Sequence, residues 1–324
     1  MSAVTRSPRL LAVRALGLGD FVTAVPALRA LERALPDHVR VLAGPAWYRD
    51  LVRSAGLGWR VLPTEALRTP EWEGPAPELA VNLHGRGPQS TAAVEALGPG
   101  QLWSYAHPDA PGAQGPPWPG AVHDCELWCA LLEYYGVPAD AEDVRWTRPA
   151  GVGDRDDTVI VHPGAASGSR RWPAERFAQV ARRLQNRGFR VLVTGSSGER
   201  ALAERVATEA GLWSGSVVAG RTGLRLLLHL VSRARLLVCG DTGVAHVATA
   251  YVTPSVRLYG PVSPALWGPL VDTDVHACLW SGRRGEPHAE HLDPGLAELT
   301  VDAVWQRCER LLGRGQSLTK THQD

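Results

Sequence analysis

Lysine is almost missing from this chain: of 34 basic residues, only Lys320 is lysine. Arginine therefore carries nearly all the positive charge, as GC-rich coding favours. Cysteine is scarce and scattered. Cys125, Cys129, Cys239, Cys278 and Cys308 form no CxxC pair, which excludes a disulfide framework and a zinc ribbon, so a reducing, cytoplasmic setting is expected. An excess of either charge sign is lacking too. A formal net charge of +1 excludes a general nucleic-acid or membrane-surface binder. Long apolar runs are also absent, and no segment reaches the ~18 residues of a membrane span. The first apolar stretch, residues 10–13, is broken by Arg14 and does not read as a signal peptide.

What remains is a globular composition. Hydrophobic residues make up 44% and charged residues 21% of 324, enough to exclude disorder and to fill two domains. Strand patterns stand at residues 10–15, 39–44, 59–63, 79–85 and 101–106, with helical patterns between several of them. Residues 107–120, rich in Pro and Gly, read as a long loop. A helix at 126–135 and a polar connection at 146–157 follow. The alternation then restarts, with strands at 158–165, 190–195, 216–219, 235–240 and 255–260. Helices are expected at 173–186, 199–209, 224–232, 242–251 and 301–312. Strands alternating with helices imply parallel sheets covered on both faces. The expected fold class is α/β, with two Rossmann-like parallel-sheet domains at 1–150 and 151–300, and a C-terminal helix and tail at 301–324. Such sheets bind ligands at the carboxyl ends of their strands.

Three motifs carry the chemistry. "GLGD" puts Asp20 at a strand-to-helix turn, where it can cap the helix or accept a proton. It does not complete GxGxxG, because position 22 is Val. In "HPGAASGSRRWP" a strand runs into a Gly/Ser-rich loop, two arginines and a helix opening at Pro173, a combination suited to phosphate. In "CGDTGVAH" a buried strand ends at Asp241, Thr242 and Gly243, opening a helix whose first N–H groups favour an anion. Weaker constellations read as structure. Asp272-Thr273-Asp274 is a DxD outside a strand end, His288 and His291 flank Glu290 in a polar loop, and Cys125 and Cys129 share a helix face.

These motifs, in this order, resemble glycosyltransferase family 9, the ADP-heptose:lipopolysaccharide heptosyltransferases. The segments that carry the likeness are "LLAVRALGLGDFVTAVPALRAL", "VIVHPGAASGSRRWPAERFAQVARRL", "RVLVTGSSGERALAE" and "LLVCGDTGVAHVATAYVTPSVRLYGPVSP". The resemblance implies a GT-B architecture, two domains facing across a cleft, and inverting, metal-independent transfer with no cofactor beyond a nucleoside-diphosphate sugar, ADP-sugar favoured. Asp20 would be the catalytic base. Ser167, Ser169, Arg170, Glu199, Asp241, Thr242, Gly243 and His246 would form the donor site. Of these, Arg170 replaces the family's usual lysine at the phosphates and Glu199 matches the ribose contact. Gly19 and His84 would lie on the acceptor side, where Ala15 and Leu16 stand in place of the family's small hydroxyl residues.

The acceptor is read from charge. Residues 1–150 carry 13 Arg against 16 Asp and Glu, a net of −3, and the remainder is net +4. An acidic acceptor domain suits a neutral or cationic molecule better than an anionic glycan core. The expected acceptor is therefore a small aminocyclitol or nucleoside of antibiotic biosynthesis, with a lipopolysaccharide core as the alternative. Two other classes remain open at this point: an NAD(P)-dependent Rossmann oxidoreductase, and a sugar-nucleotide-binding protein without activity. Neither nucleic acid nor an integral membrane segment is an expected partner.

Overall fold

The computed structural model describes residues 7–149 and 156–319, with side chains to 313. The chain divides into two compact units, at 1–147 and 148–324, each built on its own five-stranded sheet.

The first unit runs β1 (Arg9–Val13), α1 (Leu18–Ala34), β2 (Val39–Gly44), α2 (Tyr48–Ser54), β3 (Arg60–Pro63), β4 (Leu79–Asn82), α3 (Pro88–Glu95), β5 (Gln101–Trp103) and α4 (Asp124–Tyr134). Its strands lie in the order β3-β2-β1-β4-β5, and each described ladder is parallel. β1 is central. Leu10, Leu11 and Ala12 are fully buried, because a strand covered on both faces must be apolar at every position. The strand patterns at 10–15, 79–85 and 101–106 overran the true strands. The extra residues leave the ladder at the carboxyl ends, where functional turns begin. Helix α1 is buried along Phe21–Leu28 despite an internal proline at Pro26.

The second unit runs β6 (Thr158–His162), α5 (Ala174–Asn186), β7 (Arg190–Val193), α6 (Arg200–Ala210), α7 (Leu224–Arg233), β8 (Leu236–Gly240), α8 (Gly243–Ala250), β9 (Ser255–Leu258), α9 (Pro264–Trp267), β10 (His276–Leu279), α10 (Pro294–Ala297) and α11 (Val301–Thr319). The sheet order is β10-β9-β8-β6-β7, again with parallel ladders. Its core joins Val159, Val161, Phe177, Val193, Val238 and Leu258 to Val304 and Cys308 of α11. Helix α11 packs on α5, β8 and β9; residues 320–324 of the expected tail, and 150–155 of the polar connection, lie outside the described residues.

Two expectations need correction. The expected strand at 216–219 is a 3-10 turn, Ser214–Ser216, with a single parallel bridge from Val217 to Val193. The Val218 and Gly220 amides bond the Val193 and Gly195 carbonyls, each at 3.0 Å, so the segment runs beside the end of β7 without a full strand. Conversely β10 was not foreseen, because "HACL" mixes His and Cys into four residues and shows no clean apolar run.

Candidate functional site

In the first unit the chain leaves β1 at Val13 and turns through residues 14–17 into α1. Asp20 occupies the third helical position. Its Oδ2 accepts the Gly17 amide at 3.0 Å, so it caps the helix from inside the first turn, and Gly17 rather than Asp20 is the N-cap residue. Its other oxygen, Oδ1, takes a 3.2 Å ion pair from Arg14 Nη2. The carboxylate keeps 28% of its side-chain surface open, so it can still meet a ligand. Burial pushes its pKa up; the Arg14 guanidinium pulls against that, and a second carboxylate, Asp124, adds to it.

Arg14 is 1% exposed, and the sequence reading passed over it. It donates Nε to the Asp20 carbonyl at 2.9 Å, Nη1 to the Leu83 carbonyl at 2.6 Å, and Nη2 to Asp124 Oδ2 at 2.6 Å. Its guanidinium also lies 4.7 Å from the Trp128 ring centroid. The signal was a charged residue at the end of an apolar strand, where a guanidinium persists only if paired.

His84 follows β4, with Nδ1 accepting the Ala15 amide at 3.2 Å. That bond leaves the proton on Nε2. Burial first, then Arg14, lowers the His84 pKa to about 4, so the ring is neutral near neutral pH. Tyr48 of α2 holds the same turn, its hydroxyl bonding the Leu16 amide at 3.3 Å and donating to the Leu16 carbonyl at 3.2 Å. Gly19 lies in the first turn of α1, and its carbonyl accepts the Thr23 hydroxyl at 3.2 Å.

In the second unit, β6 and β8 are neighbours, so the loops after His162 and Gly240 come together. Arg170 ends the 3-10 turn Gly168–Arg170, and its Nη1 stands 3.5 Å from Asp241 Oδ2. Gly240 is where the backbones touch: a Cβ there would meet the Arg170 carbonyl at 2.9 Å. Burial raises the Asp241 pKa, against the Arg170 and Arg257 charges that lower it. Thr242 caps α8 in extended conformation and Gly243 begins the helix. His246 is buried one turn on and packs edge-to-face on Trp267 at 5.7 Å.

Glu199 accepts the Ser196 amide at 2.7 Å and the Ser196 hydroxyl at 2.8 Å. Its carboxylate lies against Gly164, and a Cβ there would push it aside. The "HPGA" and "GSSGE" segments are thereby joined. Ser167 and Ser169, expected at the phosphates, donate to the Pro287 carbonyl at 2.6 and 3.0 Å, and the Ser169 amide bonds Ala289 O at 2.9 Å. They fasten residues 287–290 over the loop, and Gly168 is needed because the Glu290 carbonyl occupies the place of a Cβ. His288 and His291 are exposed on this strap. Among the described residues no group of three or more His, Cys, Asp or Glu could hold a metal ion, and no helix is long and apolar enough to cross a membrane.

Comparison with known proteins now adds to the geometry. Residues 139–293 match the model of glycosyltransferase family 9 (heptosyltransferase). Lipooligosaccharide heptosyltransferase 2 of Haemophilus ducreyi is 34% identical over 163 residues, 46% of each chain. The chain is therefore similar to the heptosyltransferases of glycosyltransferase family 9 over its second unit above all. The alignment spans about half the length of that relative and of the next three. Lipopolysaccharide heptosyltransferase 1 of Pseudomonas aeruginosa is 28% identical over 307 residues, 83% of each chain. The structure of E. coli ADP-heptose lps heptosyltransferase II superposes with a TM-score of 0.76 at 20% identity, covering 95% of this chain and 99% of that one. The expected fold class, GT-B, is therefore the observed one.

Proposed function

We propose that this chain belongs to glycosyltransferase family 9 and is an inverting enzyme that moves a heptose-type sugar from a nucleoside diphosphate to an acceptor hydroxyl. The observation that carries the reading is Asp20, a partly open carboxylate at the head of α1 whose pKa is held above the ordinary value. The acceptor oxygen attacks the anomeric carbon as the bond from that carbon to the diphosphate oxygen breaks. The hydroxyl proton passes to Asp20, and the nucleoside diphosphate leaves with the bond's electron pair. In the second unit, Arg170 and the amides opening α8 at Thr242 and Gly243 meet the charge growing on the leaving group. In this reading Asp241 accepts sugar hydroxyls and Glu199 those of the ribose, as the family resemblance implies. This electrostatic work needs no metal. The name of the E. coli structure supports ADP-heptose as the donor.

For the acceptor, the names of the relatives, heptosyltransferases of lipooligosaccharide and lipopolysaccharide, favour a lipopolysaccharide-type glycan. The excess of carboxylates in residues 1–150 favours a second reading, a neutral or cationic aminocyclitol or nucleoside. Offering ADP-heptose with each acceptor, and following product by mass spectrometry, decides between them. Transfer to the glycan core alone removes the aminocyclitol reading, and transfer to neither, with the donor intact, removes the glycosyltransferase reading.

A further inference from the structure

The base proposed for Asp20 has a difficulty that its surroundings resolve. A carboxylate paired to an arginine alone is a weak base, since a neighbouring cation typically lowers an Asp pKa by about 1–3 units. Here the cation is shared. Arg14 Nη2 lies 2.6 Å from Asp124 Oδ2 and 3.2 Å from Asp20 Oδ1. Asp124, 11% exposed at its side chain, opens α4 more than 100 residues away in sequence, and it also accepts the Thr23 hydroxyl at 2.5 Å. Thr23 sits one turn beyond Asp20 on α1, so the contact ties α4 to the same helix start.

We infer that Asp124 is a positioning residue for Asp20: by taking the shorter share of Arg14, it orients the guanidinium and leaves Asp20 basic enough to accept the acceptor's proton. The inference rests on the reading of Asp20 as base. Among the described residues, titratable groups facing this site include Tyr48 of α2 and Cys125 of α4, whose hydroxyl and thiol are pushed up by burial and stay neutral, and His84 after β4, which is neutral above about pH 4. None of them carries a charge that could replace Asp124 at neutral pH.

The test is a carboxyl-carbon NMR titration of the whole protein from about pH 3 to pH 8, with the Asp20 signal assigned by its loss in Asp20→Asn. In the wild type, Asp20 titrates above the ordinary 3.8. In Asp124→Asn, which keeps size and hydrogen bonding, its pKa falls by about one unit or more. With ADP-heptose and a deacylated lipopolysaccharide core, the acid limb of kcat/KM in Asp124→Asn moves to lower pH by the same amount, and the plateau drops about 3- to 10-fold. Asp124→Glu restores the limb. A purely structural Asp124 would leave both the Asp20 titration and the acid limb in place, and that result overturns the proposal. If Asp124→Asn does not fold, the wild-type titration can still overturn the proposal, because Asp20 titrating at or below 3.8 means that Arg14 acts on it undivided. Full turnover in Asp20→Asn removes the base assignment without touching the measured titration, so the two failures are separable.

Discussion

Arg170 Nη1 stands 3.5 Å from Asp241 Oδ2, while the arginine's Nε is buried with no hydrogen-bond partner. The pair is loose for charges so enclosed, since a guanidinium against a carboxylate normally closes to about 2.7–2.9 Å. Such an arrangement leaves the cation free to turn toward a diphosphate. Arg170→Ala should weaken ADP binding about 10- to 100-fold, the range of a lost charged hydrogen bond, while Arg170→Lys recovers part of it. Calorimetric titration with ADP checks this, and unchanged affinity in Arg170→Ala would separate the arginine from the phosphates.

Turnover should collapse in Asp20→Asn, by about 10²–10⁴-fold, as for other positioned proton acceptors. ADP binding should hardly change, because Asp20 belongs to the first unit and the phosphate groups to the second. Only ionised Asp20 can take the proton, so the wild-type rate should fall as pH drops through its raised pKa. Steady-state kinetics against pH, beside calorimetry, reads both effects.

The Gly164 contact offers a packing test. A methyl group at Gly164 would overlap the Glu199 carboxylate, so Gly164→Ala should cost about 1–3 kcal/mol in urea unfolding. It should also weaken ADP binding if Glu199 contacts the ribose. Loss of stability with normal ADP affinity would leave Glu199 as a cap for its own turn and nothing more.

His84 should make stability depend on pH in a defined window. Its folded pKa of about 4 lies below the unfolded 6.5, so between these values the unfolded chain binds the extra proton. Stability therefore falls as pH drops from 6.5 toward 4, and solvent at the half-buried ring softens the effect. His84→Gln should flatten that slope in thermal unfolding. An unaltered slope would show that the ring is not held neutral by the fold.

Transfer should survive an excess of EDTA, because the charge on the leaving group is met by Arg170 and the α8 amides. Activity lost under chelation and restored by Mg²⁺ would return attention to Asp272 and Asp274. Asp272 adopts a left-handed backbone, φ 53°, in the turn before β10.

Local pattern alone determined the alternation of strands and helices, because a two-sided parallel strand must be apolar at every position; the runs around Leu11, Val161 and Val238 show it. It also placed Asp20, Glu199 and Asp241 at strand-to-helix turns, since Gly-rich turns and helix openings are written in consecutive residues. Strand ends were legible only loosely, as apolar residues continue into the turns after β1, β4 and β6. Partnerships across the chain were beyond its reach. Asp124 meets Arg14 because α4 packs on α1, and nothing in "HDCELW" announces a partner 110 positions earlier. The strap at 287–290 follows β10 at the sheet edge, yet it reaches Ser167 and Ser169 after β6, with β9 and β8 between those strands. Sequence distance carries no information about such contacts. Each depends on which strands become neighbours, and only the folded sheets decided that.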